Sequence, residues 1–413
     1  MGGEWVLTHH ENEIEPPFRW LSMKKSCNFL ASLIACPGGL GIAWFGLGVE
    51  RNDNGRDRMS IVSLEFEDRA RGWKLRPTNF GPFNLLVGPS GAGKTSVLKA
   101  LQSVCRAGTK NLSSASHCDW SLQISDNSNL YGWNATTQRS TIIKESIQIG
   151  DKKYIDRLPN RDVFNINGTE INLKLKTSES IVSLLEGDSV INYINSALQS
   201  LIISEPINLL KSIDMSNLKG KIDIDNLRQD TTLSLETRAY LLYRDHTEIF
   251  QNIKYLFFEI FEKISDIKID IFDFANETNL LTISITEDNK NIFDEDISSG
   301  MLRVLSILLE LALAPKGAVI LIDEIENSLG VNCLPQIIDA MLERSNEVQF
   351  IITSHHPYVI NNIPYEYWRL VRRKGGEVWL QDAKDIPALA SLSSYHDRFL
   401  HLINAPEFEE SMG

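Results

Sequence analysis

The sequence predicts an α/β fold built around a parallel sheet, and three stretches of the chain support this prediction. The first is the glycine-rich segment 88–95, which follows the apolar run Phe83–Val87. The second and third are the apolar runs Ala318–Ile322 and Gln349–Thr353. The continuous apolar run Ala318–Ile322 is typical of a central strand that is buried on both faces of a parallel sheet.

The glycine-rich segment reads Gly-Pro-Ser-Gly-Ala-Gly-Lys-Thr and fits the pattern G-x-x-x-x-G-K-[ST] at every position. In such a loop the backbone N–H groups and the following helix N-terminus bind phosphate oxygens. Lys94 would contact the β- and γ-phosphates, and the Thr95 hydroxyl would bind Mg²⁺. The predicted nucleotide-binding residues are Gly88, Pro89, Ser90, Gly91, Ala92, Gly93, Lys94 and Thr95.

Composition narrows the class of protein. The 413 residues carry a net charge of −13, so the chain as a whole lacks the basic character of a protein that coats nucleic acid. Its five cysteines are scattered and include no C-x-x-C pair, which argues against a disulfide framework and against a zinc site. A reducing cytoplasm is the expected location.

The first 58 residues differ in character from the rest. Phe29 to Val49 contains no charged residue, so a membrane-spanning or signal segment has to be considered. The same stretch contains Pro37 and several glycines, which disfavour a helix. We therefore predict that residues 1–58 are a dispensable extension outside the folded head, such as non-native upstream sequence included by a wrong start codon, with a membrane anchor as the alternative.

From Met59 onward the pattern is that of a folded domain, predicted to span residues 59–380. Within it, short β-like runs separated by turns predict an antiparallel β lobe over 118–175. Residues 178–265 are predicted to form a helical insert, on the basis of apolar residues that recur every three or four positions from Ile249 to Ile264. A hairpin is predicted around Lys374, and a helical tail over 381–413, with its last helix at Ser393–Leu402.

The second half of the predicted site follows the two later apolar runs. Asp323 comes directly after the first of them, where a carboxylate at the end of a central strand can contact Mg²⁺. Glu324 is one residue further along and can act as the general base that activates water. The second run ends in Ser354-His355-His356. Upstream, Ser298-Ser299-Gly300 precedes another apolar helix.

The order of these motifs resembles that of ABC-type ATPase heads, and more narrowly the soluble heads of the SMC, RecF and OLD groups and the stand-alone AAA-family ATPases of bacterial anti-phage systems. The resemblance extends over about Met59 to Arg372. It implies a P-loop NTPase fold that binds ATP with Mg²⁺. It is specific for the class of ATPase and much less so for the pathway.

The resemblance also assigns roles to individual residues. Ser298, Ser299 and Gly300 match the signature motif, which in such heads contacts the γ-phosphate bound by the opposite subunit. His355 matches the histidine that contacts the γ-phosphate and the attacking water. Segment 327–329 corresponds to the D-loop. The resemblance therefore implies a homodimer or higher homo-oligomer, with Glu324, His355 and Lys94 as catalytic residues.

Several positions depart from the pattern of transporter ATPases. The signature is Ile-Ser-Ser-Gly-Met, the D-loop aspartate position holds Gly330, and no glutamine can be assigned as the Q-loop residue. Arg303 is expected to face solvent rather than sense phosphate. His356 is expected to turn the chain into Pro357 rather than take part in chemistry.

The predicted function is an ATP-hydrolysing head that closes on ATP and drives a separate effector, such as a nuclease, or a DNA transaction, in phage defence or DNA repair. About fifty residues follow the Ser-His motif, which is too few for a fused nuclease domain. One alternative is a non-hydrolysing, ATP-dependent scaffold or switch. Another is the ATP-binding subunit of a membrane transporter, although membrane association is not expected. A GTPase is excluded because the chain has no N-K-x-D motif.

Overall fold

The computed structural model describes most of the chain after residue 59. The described residues are 60–109, 112–126, 128–157, 163–166, 169–172, 176–185, 187–209, 212–213, 220–230, 232–274, 278–293 and 296–390, with the isolated positions 392, 394 and 397–398. The predicted extension 1–58 lies outside them. So does most of the predicted last helix, Ser393–Leu402.

Most of the described elements are strands. In chain order the strands are β1 (Ser60–Asp68), β2 (Trp73–Asn79), β3 (Phe83–Val87), β4 (Cys118–Ser125), β5 (Leu130–Gln138), β6 (Thr141–Ile149), β7 (Lys152–Arg157), β8 (Val163–Ile166), β9 (Thr169–Asn172), β10 (Leu201–Ile203), β11 (Ser212–Ile213), β12 (Ile264–Phe274), β13 (Thr278–Glu287), β14 (Lys290–Phe293), β15 (Val319–Ile322), β16 (Gln349–Thr353), β17 (Trp368–Lys374) and β18 (Glu377–Asp382).

Helices connect many of these strands. They are α1 (Lys94–Gly108), α2 (Ile181–Leu184), α3 (Ser189–Gln199), α4 (Ile224–Gln229), α5 (Leu235–Asp245), α6 (Thr247–Ile260), α7 (Ser299–Leu313), α8 (Leu334–Arg344), α9 (Pro357–Asn362) and α10 (Pro387–Ala390). No helix in the described ranges is both long enough and apolar enough to cross a membrane.

One sheet runs through the described structure, in the strand order β10-β15-β16-β3-β17-β18-β2-β1-β4-β5-β6-β7-β8-β9. The pairs from β10 to β17 are parallel, whereas those from β1 onward to β9 are antiparallel. Every residue of β3, β15 and β16 is buried, which explains their predominantly apolar sequences. The predicted α/β class is confirmed.

The register of the parallel strands brings three loops together. Ile322 of β15 pairs with Ile352 of β16, and Thr353 pairs with Leu86 of β3. These three strands therefore end at the same level, and the segments that follow them meet at one edge of the sheet. That edge is the place where ligands bind in open α/β sheets.

The antiparallel half of the sheet packs against helix α1 through a buried tryptophan. Trp133 of β5 is fully buried, and its ring meets Trp120 of β4 edge to face, with centroids 5.1 Å apart. The Trp133 indole also lies against the last residue of α1, where a Cβ on Gly108 would come within 3.2 Å of the ring. The helix that follows the glycine-rich loop is thus packed against the β lobe.

The structure departs from the sequence prediction inside the region 178–265. Helices α2 to α6 lie there, but β10 and β11 lie there too. Strand β10 pairs in parallel with β15 and forms an edge of the central sheet. The helix predicted to continue to Ile264 ends at Ile260, and Ile264 instead begins β12. A three-residue apolar strand cannot be distinguished from part of a helix by periodicity alone.

A second, smaller sheet was not predicted. It contains β11, β13 and β12, with β14 paired to β13. The buried residues of β12 and β13 alternate along each of these two strands, and they include Ile267, Ile269, Leu281, Ile283 and Ile285. The hairpin predicted around Lys374 is confirmed as β17 and β18.

Candidate functional site

The glycine-rich loop leaves β3 at Val87 and enters α1 at Lys94. Gly93 caps the helix with φ +102°, a conformation that L side chains rarely adopt, so a glycine is required there. Helix α1 packs its apolar face into the core, which includes Val97 and Leu101. The first N–H groups of α1 therefore point from a rigid element toward the loop.

The loop borders a cavity of about 570 Å³ at the carboxyl edge of the sheet. Its volume lies within the usual range of small-molecule sites. The side chain of Ala92 is an exception among the predicted binding residues, because it is buried in the core and does not line the cavity. The lining residues are Val87, Gly88, Pro89, Ser90, Gly91, Gly93, Lys94, Thr95, Ser96, Asp323, Glu324, Thr353, Ser354, His355, Ile360 and Arg373.

The ammonium group of Lys94 contacts the glycine-rich loop and keeps the side chain over it. The Nζ atom donates hydrogen bonds to the carbonyl oxygens of Gly88 at 2.8 Å and Pro89 at 3.1 Å. Burial lowers the pKa of Lys94, and the negative charges of Glu324, Asp323 and Glu326 oppose that shift. A half-buried cation beside backbone N–H groups provides a binding site for phosphate.

Asp323 and Thr95 approach each other from neighbouring elements. The Thr95 hydroxyl donates to Asp323 Oδ1 at 3.2 Å, and the Thr353 hydroxyl donates to the same oxygen at 2.7 Å. Mg²⁺ prefers oxygen ligands and is usually held by one or two carboxylates together with substrate phosphates. The hydroxyl of Thr95 and the carboxylate of Asp323 therefore fit a Mg²⁺ ion beside the loop.

Thr353 is a site residue that sequence reasoning missed. Besides donating to Asp323, its Oγ1 accepts the backbone N–H of Glu324 at 2.7 Å. It thus links the end of β16 to the turn after β15. Thr353 directly precedes the Ser354-His355 motif, which could have drawn attention to it. A threonine at the end of a strand is otherwise too common to indicate a site.

Glu324 adopts an uncommon backbone conformation, with φ +48°. Besides its N–H bond to Thr353, its carbonyl oxygen accepts the N–H of Asn327 at 2.7 Å. A non-glycine residue in this region costs free energy and persists only where its surroundings impose it. The turn therefore holds the Glu324 side chain at the cavity, where the sequence prediction places a general base.

His355 lines the cavity, and its side chain is 62% exposed. Its Nδ1 lies 3.2 Å from Glu326 Oε1, and its backbone N–H donates to the same oxygen at 3.0 Å. His356 behaves as predicted, because its Nδ1 accepts the N–H of Tyr358 and caps α9 rather than lining the cavity.

The structure does not bring the signature residues to the cavity of their own chain. Ser298 caps α7, with its hydroxyl accepting the Met301 N–H at 3.2 Å, and neither Ser299 nor Gly300 lines the cavity. Gly300 instead lies against the predicted D-loop, since a Cβ there would come within 3.1 Å of the Ser328 carbonyl oxygen. The signature and the D-loop therefore form one continuous surface.

The expectation that Arg303 faces solvent is wrong. Arg303 is 4% exposed, and its Nη1 donates to Ser204 Oγ at 3.1 Å. The Ser204 hydroxyl in turn donates to the buried carboxylate of Glu310 on the same helix. Helix α7 is buried on nearly all sides, so a charged residue in its first turns is enclosed as well. Arg303 thus takes part in a buried network that ties α7 to the segment after β10.

Glu310 makes this network sensitive to pH. Burial raises the pKa of Glu310 to about 7, so the folded protein binds a proton there more tightly than the unfolded chain does. The resulting stabilisation is fully present below the ordinary value of 4.5 and is lost as pH rises through about 7. We expect Glu310→Gln to reduce the fall in unfolding free energy between pH 5 and pH 8.

Urea unfolding of the wild type and of Glu310→Gln at these two pH values checks the prediction. Glu259→Gln is the control, because Glu259 is an exposed glutamate on α6. An equal loss of stability in the wild type and in Glu310→Gln would show that Glu310 does not contribute.

Arg373 also reaches the cavity and was not predicted. It lies on β17, and its Nη1 donates to the Gly91 carbonyl oxygen at 3.2 Å. It is one residue beyond the stretch that the sequence resemblance covers. No glutamine lines the described cavity, so the Q-loop position stays unassigned.

A strand, a glycine-rich loop and a helix, with a carboxylate at the end of another parallel strand of the same sheet, define a P-loop nucleoside triphosphatase. A protein-family model described as "AAA domain, putative AbiEii toxin, Type IV TA system" matches residues 83–361. The chain belongs to this family of AAA-type ATPase domains, in agreement with the class that the order of its motifs implied.

Solved structures similar to the chain include three SMC heads. A crystal structure of an Smc head bound to the C-winged helix domain of ScpA has 15% identity and a TM-score of 0.47, covering 78% of this chain and 96% of that one. An Smc head with an extended coiled coil, bound to the C-terminal domain of ScpA and derived from Pyrococcus furiosus, has 14% identity and a TM-score of 0.43, with coverages of 78% and 96%. The SMC head domain from Thermotoga maritima has 12% identity and a TM-score of 0.38, with coverages of 78% and 98%. A search of curated proteins found no match.

Proposed function

We propose that this chain is an ATP-hydrolysing head that dimerises on ATP and passes the resulting motion to a separate partner. The observation that carries the proposal is the meeting of Lys94, Thr95, Asp323 and Glu324 around one cavity. A phosphate-binding loop, a pair of Mg²⁺ ligands and a carboxylate base are the parts that ATP hydrolysis requires.

Each side chain has a distinct role in the proposed reaction. Lys94 binds phosphate oxygens and neutralises charge that develops on them. Glu324 accepts a proton from the attacking water, and His355 orients that water and the γ-phosphate. Thr95 and Asp323 would hold a Mg²⁺ ion, which when bound would neutralise further phosphate charge.

The separation of the signature from the cavity supports a two-head arrangement. Ser298–Gly300 cannot contact a nucleotide in the cavity of its own chain, since it does not line that cavity. The hydroxyls and the N-terminus of the 15-residue helix α7 would complete the cavity of a second copy instead. The proposed active unit is a homodimer or a higher homo-oligomer.

The proposed downstream partner is a separate effector protein, such as a nuclease, or DNA. The sequence resemblance to heads of anti-phage and repair ATPases supports this setting, and the family description names a toxin of a toxin–antitoxin system. We place the protein in the cytoplasm, where ATP is available.

Complementation between two inactive variants tests the two-head site. Ser299→Arg blocks the signature, whereas Lys94→Met disables the loop. If the signature acts on the opposite chain, an equal mixture is expected to recover about one quarter of wild-type ATP turnover, since half of the dimers are mixed and each has one intact site.

The control is a mixture of Lys94→Met with Glu324→Gln. Lys94 and Glu324 line the cavity of the same chain, so each subunit of the mixed dimer has one inactive cavity. No intact site can therefore form. Turnover in the first mixture that does not exceed the sum of its two components would contradict a trans-acting signature.

A further inference from the structure

Glu326 is a carboxylate beside the cavity to which the proposed reaction gives no role. It lies two residues after Glu324, in the turn that follows β15. Its side chain is 12% exposed, whereas His355 beside it is 62% exposed. Its own carbonyl oxygen accepts the Leu329 N–H at 3.0 Å, which fixes the turn on the side of the predicted D-loop.

One oxygen of Glu326 contacts His355 twice. Oε1 accepts the His355 backbone N–H at 3.0 Å and lies 3.2 Å from the ring nitrogen Nδ1. The same carboxylate oxygen therefore fixes the main chain just after β16 and lies within contact distance of the imidazole. The contact with Nδ1 favours one orientation of an otherwise exposed side chain.

The second oxygen of Glu326, Oε2, is buried and makes no hydrogen bond within the described part of the chain. The charged side chains that line the same cavity are Lys94, Asp323, Glu324 and Arg373.

The contact with Nδ1 determines what the other ring nitrogen can do. When Nδ1–H donates to Glu326, Nε2 of the neutral ring is left as an acceptor, and in the protonated ring it is a donor. Either form presents Nε2 for contact with water or with a phosphate oxygen. With the opposite tautomer, a neutral ring would offer water an N–H instead of a lone pair.

We propose that Glu326 is a positioning residue that holds His355 in the Nδ1–H tautomer and orients its Nε2 for the reaction. This inference rests on the proposed ATPase function and assigns Glu326 an effect that acts through His355. Similar carboxylate–histidine pairs orient the histidines of metal sites and hydrolases.

Kinetics of two substitutions form the first part of the test. Glu326→Ala removes the acceptor and is expected to lower kcat by about 10- to 100-fold. The KM for ATP is expected to change less than about threefold, because Lys94 and the loop still bind phosphate. Glu326→Gln is expected to restore most of kcat, since the His355 backbone N–H holds the amide oxygen in the position of Oε1. Glu259→Ala is the matched control on the exposed face of α6.

A double-mutant cycle separates positioning from a general structural role. If Glu326 acts through His355, Glu326→Ala is expected to lower kcat by less than about twofold in a His355→Ala background. A structural defect would persist there, because the backbone N–H of residue 355 is still present. Losses that multiply would overturn the proposal.

The ring nitrogens provide a readout that does not depend on turnover. In the full chain with ¹⁵N-labelled histidine, the His355 signals are assigned by their absence in His355→Ala. The wild type is expected to show the Nδ1–H tautomer, and Glu326→Ala is expected to lose it. An Nε2–H tautomer in the wild type, or ring shifts unchanged by Glu326→Ala, would overturn the inference. A wild type without ATPase activity would overturn the proposed function alone.

Discussion

Replacing Glu324 by glutamine is expected to reduce ATP turnover by about two to four orders of magnitude while leaving ATP binding intact. The amide has nearly the same shape as the carboxylate but cannot accept a proton from water. The contacts that hold the turn use the backbone, namely the N–H bond to Thr353 and the carbonyl bond to Asn327. The substitution should therefore remove the general base without changing the conformation of the turn.

The variant is also expected to accumulate as an ATP-bound dimer, because closure on ATP would no longer be followed by hydrolysis. Phosphate release and mass in solution, each measured with and without ATP, check both outcomes. Glu259→Gln is the control, since it makes the same chemical change at an exposed position on α6. Turnover within threefold of the wild type would show that the base lies elsewhere.

The same variant separates an ATPase from a switch. If hydrolysis drives the biological output, Glu324→Gln abolishes it in the cell. If ATP only holds an assembly together, the output survives the loss of turnover. Adding DNA to the turnover assay distinguishes a DNA-dependent head from one that responds to a protein partner.

Replacing Lys94 by methionine is expected to weaken binding of Mg²⁺-ATP by about 30- to 5,000-fold. This range corresponds to the roughly 2–5 kcal/mol that is typically lost when one member of a buried, hydrogen-bonded charge pair is truncated. Methionine retains the length of the aliphatic chain but removes the ammonium that lies over the loop. The phosphates would then be bound by backbone N–H groups without an opposing charge.

Titration calorimetry with Mg²⁺-ATP measures this loss directly. Lys99→Met is the matched control, because Lys99 is an exposed residue of the same helix α1. A thermal melt of each variant reports whether loss of the bonds to Gly88 and Pro89 loosens the loop. Affinity within threefold of the wild type would contradict the role of Lys94 as the phosphate-binding cation.

The glycine-rich loop and the two carboxylates after β15 could be predicted from the sequence, because each depends only on residues close to it in the chain. Gly93 follows a buried strand and precedes a helix, and it adopts the positive φ that glycine tolerates. The conformation of the loop therefore depends on local sterics and is predictable from the motif. Asp323 and Glu324 follow an apolar run, and the end of that run coincides with the end of β15. The order of the four motifs was sufficient to identify the class of ATPase.

The burial of Arg303 and the pairing of β10 depend on contacts between segments that are distant in the sequence. Arg303 was expected in solvent because a charged residue on a helix usually lies there, but α7 is enclosed and Arg303 bonds to Ser204, which is 99 positions away. Strand β10 joins the central sheet only because β15, more than a hundred residues later, offers its edge. Neither the burial of a charge nor the pairing of a short strand is encoded in the adjacent sequence.

The contact between Glu326 and His355 also depends on both the sequence motifs and the tertiary structure. Each residue lies beside a motif that the sequence revealed, yet they are 29 positions apart and meet only because β15 and β16 are paired in register. The sequence by itself predicted the loop, the carboxylate proposed to bind Mg²⁺ and the proposed base. The tertiary structure alone decided which side chains hold them in place, because strand register is set by pairing between segments and not by the residues within one of them.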